Sequence, residues 1–153
     1  YNHWQSNWAT FYTKQRLDVL VKLAQQHHLW SRERDHHYRQ LRQQILSDPH
    51  MQSVQPSLLH GDLWSGNYLF SSDGTPVLID PDIFYGDREM DLAMTTIFGG
   101  FDADFYQGYQ QVYPFAPGMQ ARLPKYQLYY LLAHLNLFGE TYGPAVDRIL
   151  NGY

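Results

Sequence analysis

His60-Gly61-Asp62-Leu63-Trp64-Ser65-Gly66-Asn67 runs directly into Tyr68-Leu69-Phe70, and Val77-Leu78-Ile79-Asp80-Pro81-Asp82 follows after Ser71-Ser72-Asp73-Gly74-Thr75-Pro76. Two short apolar runs around a segment of turn formers predict a β-hairpin. Asp-Gly is a strong hairpin dipeptide, so a turn centred on Asp73-Gly74 sets Leu69 opposite Leu78 and Asn67 opposite Asp80. Cβ atoms of such partners lie roughly 5 Å apart. On this reading an amide oxygen and a carboxylate meet at the open end of the hairpin, and both are hard ligands suited to Mg²⁺.

The spacing before the hairpin carries the chemistry. The catalytic loop of protein kinases is written H-R-D, four residues, then Asn. Asp62 and Asn67 keep that separation, with Gly61 in place of the Arg. In that loop the Asp accepts the proton of the substrate hydroxyl and the Asn holds a metal ion, while the Asp of D-F-G holds the second metal position. Asp80-Pro81-Asp82 stands where D-F-G would stand. The expectation is therefore Asp62 as catalytic base and Asn67 with Asp80 as metal ligands. Asp82 is left between contact with a second metal and capping of the next turn. His60 reads as structural, bonding backbone near Asp80. Asp91 reads as structural too, binding backbone of the catalytic loop or capping its own helix. Trp64 is divided between stacking on a sugar face and packing under the loop.

Outward from this centre the chain is mostly helical. Upstream, Trp4, Trp8, Phe11, Tyr12, Leu20 and Leu23 recur at helical intervals, which predicts a helix over about 4–28. A second helix is expected over 32–47 with Ser31 as N-cap, then a loop between Pro49 and Pro56. Downstream, helices are expected over 91–98, from Asp102 as cap to about 113, over 123–138, and from Pro144 onward. Pro114 to Gly118 reads as a turn, and Asp87-Arg88-Glu89 as a salt-bridged turn. His27-His28 and His36-His37 lack the ligand spacing of a helical zinc motif and read as solvated surface. The fold class is mainly α with one small β-hairpin.

The 153 residues suit one domain, and 44% hydrophobic with 16% aromatic residues supports a packed core. A net charge of −4 without a basic face argues against nucleic acid as a partner. The lack of cysteine excludes disulfides and thiolate chemistry. No stretch suits a membrane span or a signal peptide, so a cytoplasmic domain is expected.

The motif residues resemble the fructosamine kinase (ketosamine-3-kinase) family. The resemblance rests on His60-Gly61-Asp62-Leu63-Trp64-Ser65-Gly66-Asn67, on Ile79-Asp80-Pro81, on Phe84-Tyr85-Gly86-Asp87-Arg88-Glu89 with Asp91-Leu92-Ala93-Met94, and on Phe98-Gly99-Gly100-Phe101. Trp8, Phe11 and Arg16-Leu17 add to it. Parts of these blocks are shared with aminoglycoside phosphotransferases and choline kinases; Leu63-Trp64-Ser65-Gly66 and Phe98-Gly99-Gly100-Phe101 favour the fructosamine kinases. Asp82 departs from the small residue expected there. The resemblance implies a protein-kinase-like, aminoglycoside phosphotransferase-like fold and ATP with Mg²⁺ as cofactors. It implies phosphorylation of the sugar 3-hydroxyl of ketosamines, a deglycation type of repair, with ATP and a glycated amine as partners.

A kinase of this kind also needs a Gly-rich loop and a strand Lys to clamp the nucleotide. No glycine precedes Gly61, and Lys14, Lys22 and Lys125 lie in no strand-like run. With a first residue of Tyr1, residues 1–153 are expected to be a C-terminal lobe whose N-terminal lobe is absent, with little activity alone. Another small-molecule kinase of the same fold, of the aminoglycoside or choline type, is the alternative. A non-catalytic scaffold is the third reading, and the intact set Asp62, Asn67 and Asp80 argues against it.

Overall fold

The computed structural model describes residues 3, 5 and 7–153; Trp4, which the sequence assigns to the first helix, lies outside them. The chain divides into two compact units. One comprises residues up to Gln55 with Gln127–Tyr153, and the other is Pro56–Tyr126.

The first unit is helical. Helix α1 (Trp8–Tyr12) passes through a π-helical turn (Thr13–Leu17) into α2 (Asp18–Gln26). The chain is thus one helical run, as its periodicity suggests, but with a widened turn inside it. There Thr13 Oγ1 donates to Ala9 O at 2.8 Å, and the buried Gln15 exchanges hydrogen bonds of 2.8 and 2.6 Å with the backbone of His3. Asn7 caps α1 through Thr10 N–H.

Helix α3 (Arg32–Ser47) follows its sequence signal closely. Ser31 caps it at 3.1 Å through Arg34 N–H, and Arg34, Tyr38, Leu41 and Ile45 form its buried stripe. Asp18 of α2 accepts from Tyr38 Oη (2.6 Å) and from Arg42. Residues between Pro49 and Pro56 do not form a plain loop: α4 (Pro49–Gln52) is a single helical turn. Asp48 caps it and Pro49 occupies its first turn, a local signature that reads as helix start once both residues are weighed together.

In the second unit β2 (Tyr68–Phe70) and β3 (Pro76–Leu78) form the expected hairpin. Its register differs from the expected one. Tyr68 pairs with Leu78 and Phe70 with Pro76, and the next link is Ile79 N–H to Asn67 O at 3.0 Å. The loop carries one more residue than a two-residue Asp-Gly turn. Ser71 and Thr75 close it at 2.9 Å, Gly74 N–H returns to Ser71 O, and Gly74 is left-handed at φ +83°. This is the three-residue loop with a bulge. Asp73 stabilises it by accepting from Ser71 Oγ and Thr75 N–H, which hold its carboxyl down at about 2. Cross-strand pairing therefore does not set Asn67 opposite Asp80.

A second two-stranded sheet, not expected from the sequence, joins β1 (Ser57–Leu59) antiparallel to β4 (Phe84–Gly86), with Leu59 opposite Phe84. Helix α5 (Glu89–Thr95) begins two residues earlier than expected, and α6 (Ala103–Val112) is capped by Asp102 through Phe105 N–H. Within Asp87-Arg88-Glu89, the Asp87 side chain accepts from Glu89 N–H at 3.0 Å. Glu89 grips Arg122 bidentately at 2.6 and 2.7 Å. Asp87 accepts from Tyr126 Oη at 2.6 Å. Arg88 reaches the carbonyls of Tyr113 and Pro114 and lies 3.5 Å over the Tyr113 ring.

Helix α7 (Met119–Phe138) starts four residues before Leu123 and contains Pro124. The last helix, α8 (Gly143–Leu150), has Pro144 in its first turn. In the first unit Arg34 donates bidentately to Asp147 of α8 and to Glu140, and also to Leu29 O. No helix among the described residues is long and apolar enough to cross a membrane.

Candidate active site

The loop from His60 to Asn67 leaves β1 and enters β2, so the strands at its two ends set its position. Asp91, in the first turn of α5, receives it. Its two carboxylate oxygens accept from His60 N–H at 2.8 Å and from Gly61 N–H at 2.9 Å. Burial pushes the Asp91 carboxyl above its ordinary value, against the lowering effect of these two amides.

Gly61 is the residue at which the loop turns. Its φ is +85°, and a Cβ at this position would stand 1.9 Å from the carbonyl oxygen of Asp82. The Arg of the protein-kinase motif has no room here. The close approach follows from a backbone link: Asp82 N–H donates to His60 O at 2.9 Å.

His60 does two further things. Its Nδ1 accepts from Asp62 N–H at 3.3 Å, so its Nε2 carries the hydrogen and donates to Ile79 O at 2.9 Å. Residues 79 and 82 are thus both tied to His60, and Asp80 lies between them. Asp80 has φ +50° and is exposed. It is this bracketing by His60, rather than the hairpin register, that sets Asp80 beside the loop.

Asn67 is buried and closes the loop on itself. Its Nδ2 donates to Asp62 O at 2.9 Å and to Asp62 Oδ2 at 3.1 Å. That geometry turns Asn67 Oδ1 away from Asp62, and neither Asn67 Oδ1 nor Asp62 Oδ1 has a hydrogen-bond partner among the described residues. The carboxylate of Asp80 accepts no hydrogen bond among them either, and Asp82 engages only through its backbone. Trp64 is 39% exposed. The carboxylates of Asp62, Asp80 and Asp82 do not close into one cluster within 4.8 Å. This donor set fits Mg²⁺, which is usually held by one or two protein oxygens together with substrate phosphates and water. Chemically the loop offers a restrained carboxylate with one free oxygen, next to uncommitted hard donors. The segment Ile83 to Arg122 contributes Asp91 directly and, through the Glu89–Arg122 pair, anchors the start of the helix that carries it.

The fructosamine kinase family model matches residues 1–153. The chain belongs to the fructosamine kinase family. A "Probable ketoamine kinase" of Lactiplantibacillus plantarum is 80% identical over 152 residues, 99% of this chain and 54% of that protein. "Ketosamine-3-kinase" of Mus musculus is 39% identical over 148 residues, 92% of this chain and 45% of that protein. Among solved structures, one assigned as a fructosamine-3-kinase from Thermobifida fusca superposes with a TM-score of 0.86 at 34% identity, over 96% of this chain and 51% of that one. The aminoglycoside phosphotransferase APH(2'')-Ib, solved with ADP, gives 0.60 at 19% identity over 95% of this chain and 52% of that one, a likeness of fold alone. The chain spans about half the length of the fructosamine kinase relatives it matches.

Proposed function

We propose that this chain is the C-terminal lobe of a two-lobed kinase that transfers the γ-phosphoryl group of ATP to the sugar 3-hydroxyl of ketosamines. The observation that carries the reading is the Asn67–Asp62 clamp: one oxygen of Asp62 is held by the Asn67 amide and the other is free to meet a hydroxyl. Asp62 orients the acceptor hydroxyl and takes its proton as the phosphoryl group moves. Phosphoryl transfer asks for positioning more than covalent help, and Asp91 and His60 supply the positioning by fixing the backbone on both sides of Asp62. Asn67 and Asp80 would hold Mg²⁺, with Asp82 at the margin of the site. Bound there, Mg²⁺ would neutralise charge on the phosphates. Relatives named for ketoamines and ketosamines support the acceptor class.

The test uses the full-length protein with ATP, Mg²⁺ and a panel of ketosamines, aminoglycosides and choline. Ketosamines should be the substrates, and phosphorylation of choline or an aminoglycoside alone would assign the site to that alternative. Asp62→Ala should abolish turnover while nucleotide binding persists; retained turnover would remove Asp62 from its role. The isolated 153-residue chain should show little turnover, and activity near that of the full-length protein would overturn the lobe assignment.

A further inference from the structure

The turn Gly99-Gly100 between α5 and α6 has no part in the chemistry proposed above, yet Gly100 meets the chain on both sides of Asn67. On one side it abuts Ser65. A Cβ on Gly100 would stand 2.3 Å from Ser65 Cβ and 2.7 Å from Ser65 Oγ, so the approach is open only to a residue without a side chain. On the other side Gly100 O accepts from Tyr68 Oη at 3.0 Å. Ser65 opens the short 3₁₀ turn Ser65–Asn67, which closes through Asn67 N–H to Trp64 O at 2.9 Å. Asn67 is the last residue of that turn, and its side-chain amide donates to Asp62.

The Gly99-Gly100 turn is itself held from behind. The Phe101 ring centroid lies 5.3 Å from that of Tyr68 and 4.6 Å from that of Phe105. Phe105 packs edge-on against Tyr106, whose hydroxyl meets that of buried Thr95 in α5 at 2.9 Å. Gly99 and Gly100 are both left-handed, at φ +71° and +89°. Their surroundings differ, because a Cβ on Gly99 would meet nothing within 4 Å. Position 99 needs glycine for its backbone alone, whereas position 100 needs it for contact as well. A turn that only joined α5 to α6 has no use for that contact or for the bond from Tyr68.

We propose that Gly100 is a positioning residue for phosphoryl transfer: by abutting Ser65 and holding Tyr68 it fixes the turn that sets the Asn67 amide on Asp62. The proposal rests on the ketosamine kinase reading for the reaction it serves, and its geometric part is testable without turnover.

The experiment compares the two glycines in the full-length protein. Gly99→Ala and Gly100→Ala carry a similar backbone penalty, but only Gly100→Ala runs into Ser65. With ATP, Mg²⁺ and a ketosamine, kcat should fall by about 30- to 100-fold in Gly100→Ala, against a small change in Gly99→Ala. Tyr68→Phe removes only the hydroxyl and should lower kcat by about five-fold. In a Ser65→Gly background the opposing Cβ and Oγ are gone, and Gly100→Ala should cost no more there than Gly99→Ala costs in the wild type. Equal losses at the two glycines, or a loss that persists in the Ser65→Gly background, would overturn the proposal. The Asn67 amide is read directly by NMR of ¹⁵N-asparagine-labelled protein, its resonances identified by Asn67→Ala. Gly100→Ala and Tyr68→Phe should shift them and Gly99→Ala should leave them in place; resonances unmoved by Gly100→Ala would refute the positioning. Should Gly100→Ala not fold, Tyr68→Phe decides, and kcat and amide both unchanged in it would refute the role of Gly100. If the wild-type protein phosphorylates no ketosamine, the functional reading fails separately while the amide still tests the geometry.

Discussion

Asp91 accepts the backbone N–H groups of His60 and Gly61 with its two separate oxygens, at 2.8 and 2.9 Å. One side chain on a helix thereby holds two consecutive residues of the His60–Asn67 loop. It does so at a cost to its own ionisation, because burial raises its carboxyl above the ordinary value.

The pH dependence of Asp91 follows from that direction. A carboxyl whose value is raised on folding binds its proton more tightly in the folded than in the unfolded chain. Stability then falls as pH rises from the ordinary value of 3.8 through the raised one. Asp91→Asn removes this titration and also turns a donor toward one of the two amides, at a cost of about 1–3 kcal/mol. Urea melts of both proteins across pH 3 to 6 should show the wild-type advantage shrinking as pH rises. A constant difference would contradict the assignment.

Gly61→Ala is expected to be among the more damaging single substitutions in the loop. The left-handed backbone alone costs about 1–2 kcal/mol for a residue with a Cβ, and the added carbon would also have to displace Asp82 O. Equilibrium denaturation should show a loss of at least about 2 kcal/mol. In the full-length protein, turnover should fall further than stability accounts for, because the displaced residue is two from Asp80.

Asn67→Ala removes the donor that holds Asp62 Oδ2 and Asp62 O. Misplacement of a reacting group by about 1 Å can cost about 100-fold in rate. The expected outcome in the full-length protein is a fall in kcat of that order, with stability lowered by only about 1 kcal/mol. Steady-state kinetics with unchanged kcat would show that the clamp is dispensable.

The Glu89–Arg122 pair is tested by single and double replacement. Its side chains are 1% and 8% exposed, and the contact is bidentate. Removing either partner takes this bidentate contact away from a buried charge, at about 3–5 kcal/mol. Glu89→Leu with Arg122→Met should cost clearly less than the worse single variant. Thermal melts decide it; additive losses would show that the pair itself carries no coupling.

Local signals were legible because their physics is local. Ser31, Asp102 and Pro144 mark helix starts through contacts a few residues away, and each marks the start of the helix that forms. The periodicity of residues 8–26 shows a helix but not its π-helical turn, whose hydrogen bonds reach one residue further than the α-helical repeat that periodicity reads. The hairpin was legible and its register was not. A single left-handed Gly74 lengthens the loop by one residue and moves Asn67 from Asp80 to Ile79.

The sequence by itself determined the helical class, the hairpin, the family and the Asp62–Asn67 spacing, since each is written in residue order and short-range preference. Tertiary structure alone decided how Asp80 comes beside the loop, why position 61 excludes a side chain, and what supports the site. Those outcomes depend on hydrogen bonds between residues far apart in sequence, His60 with Ile79, Gly61 with Asp91 and Glu89 with Arg122. Their cost and gain are set by burial and by the register of two three-residue strand pairs, neither of which leaves a periodic trace in the chain.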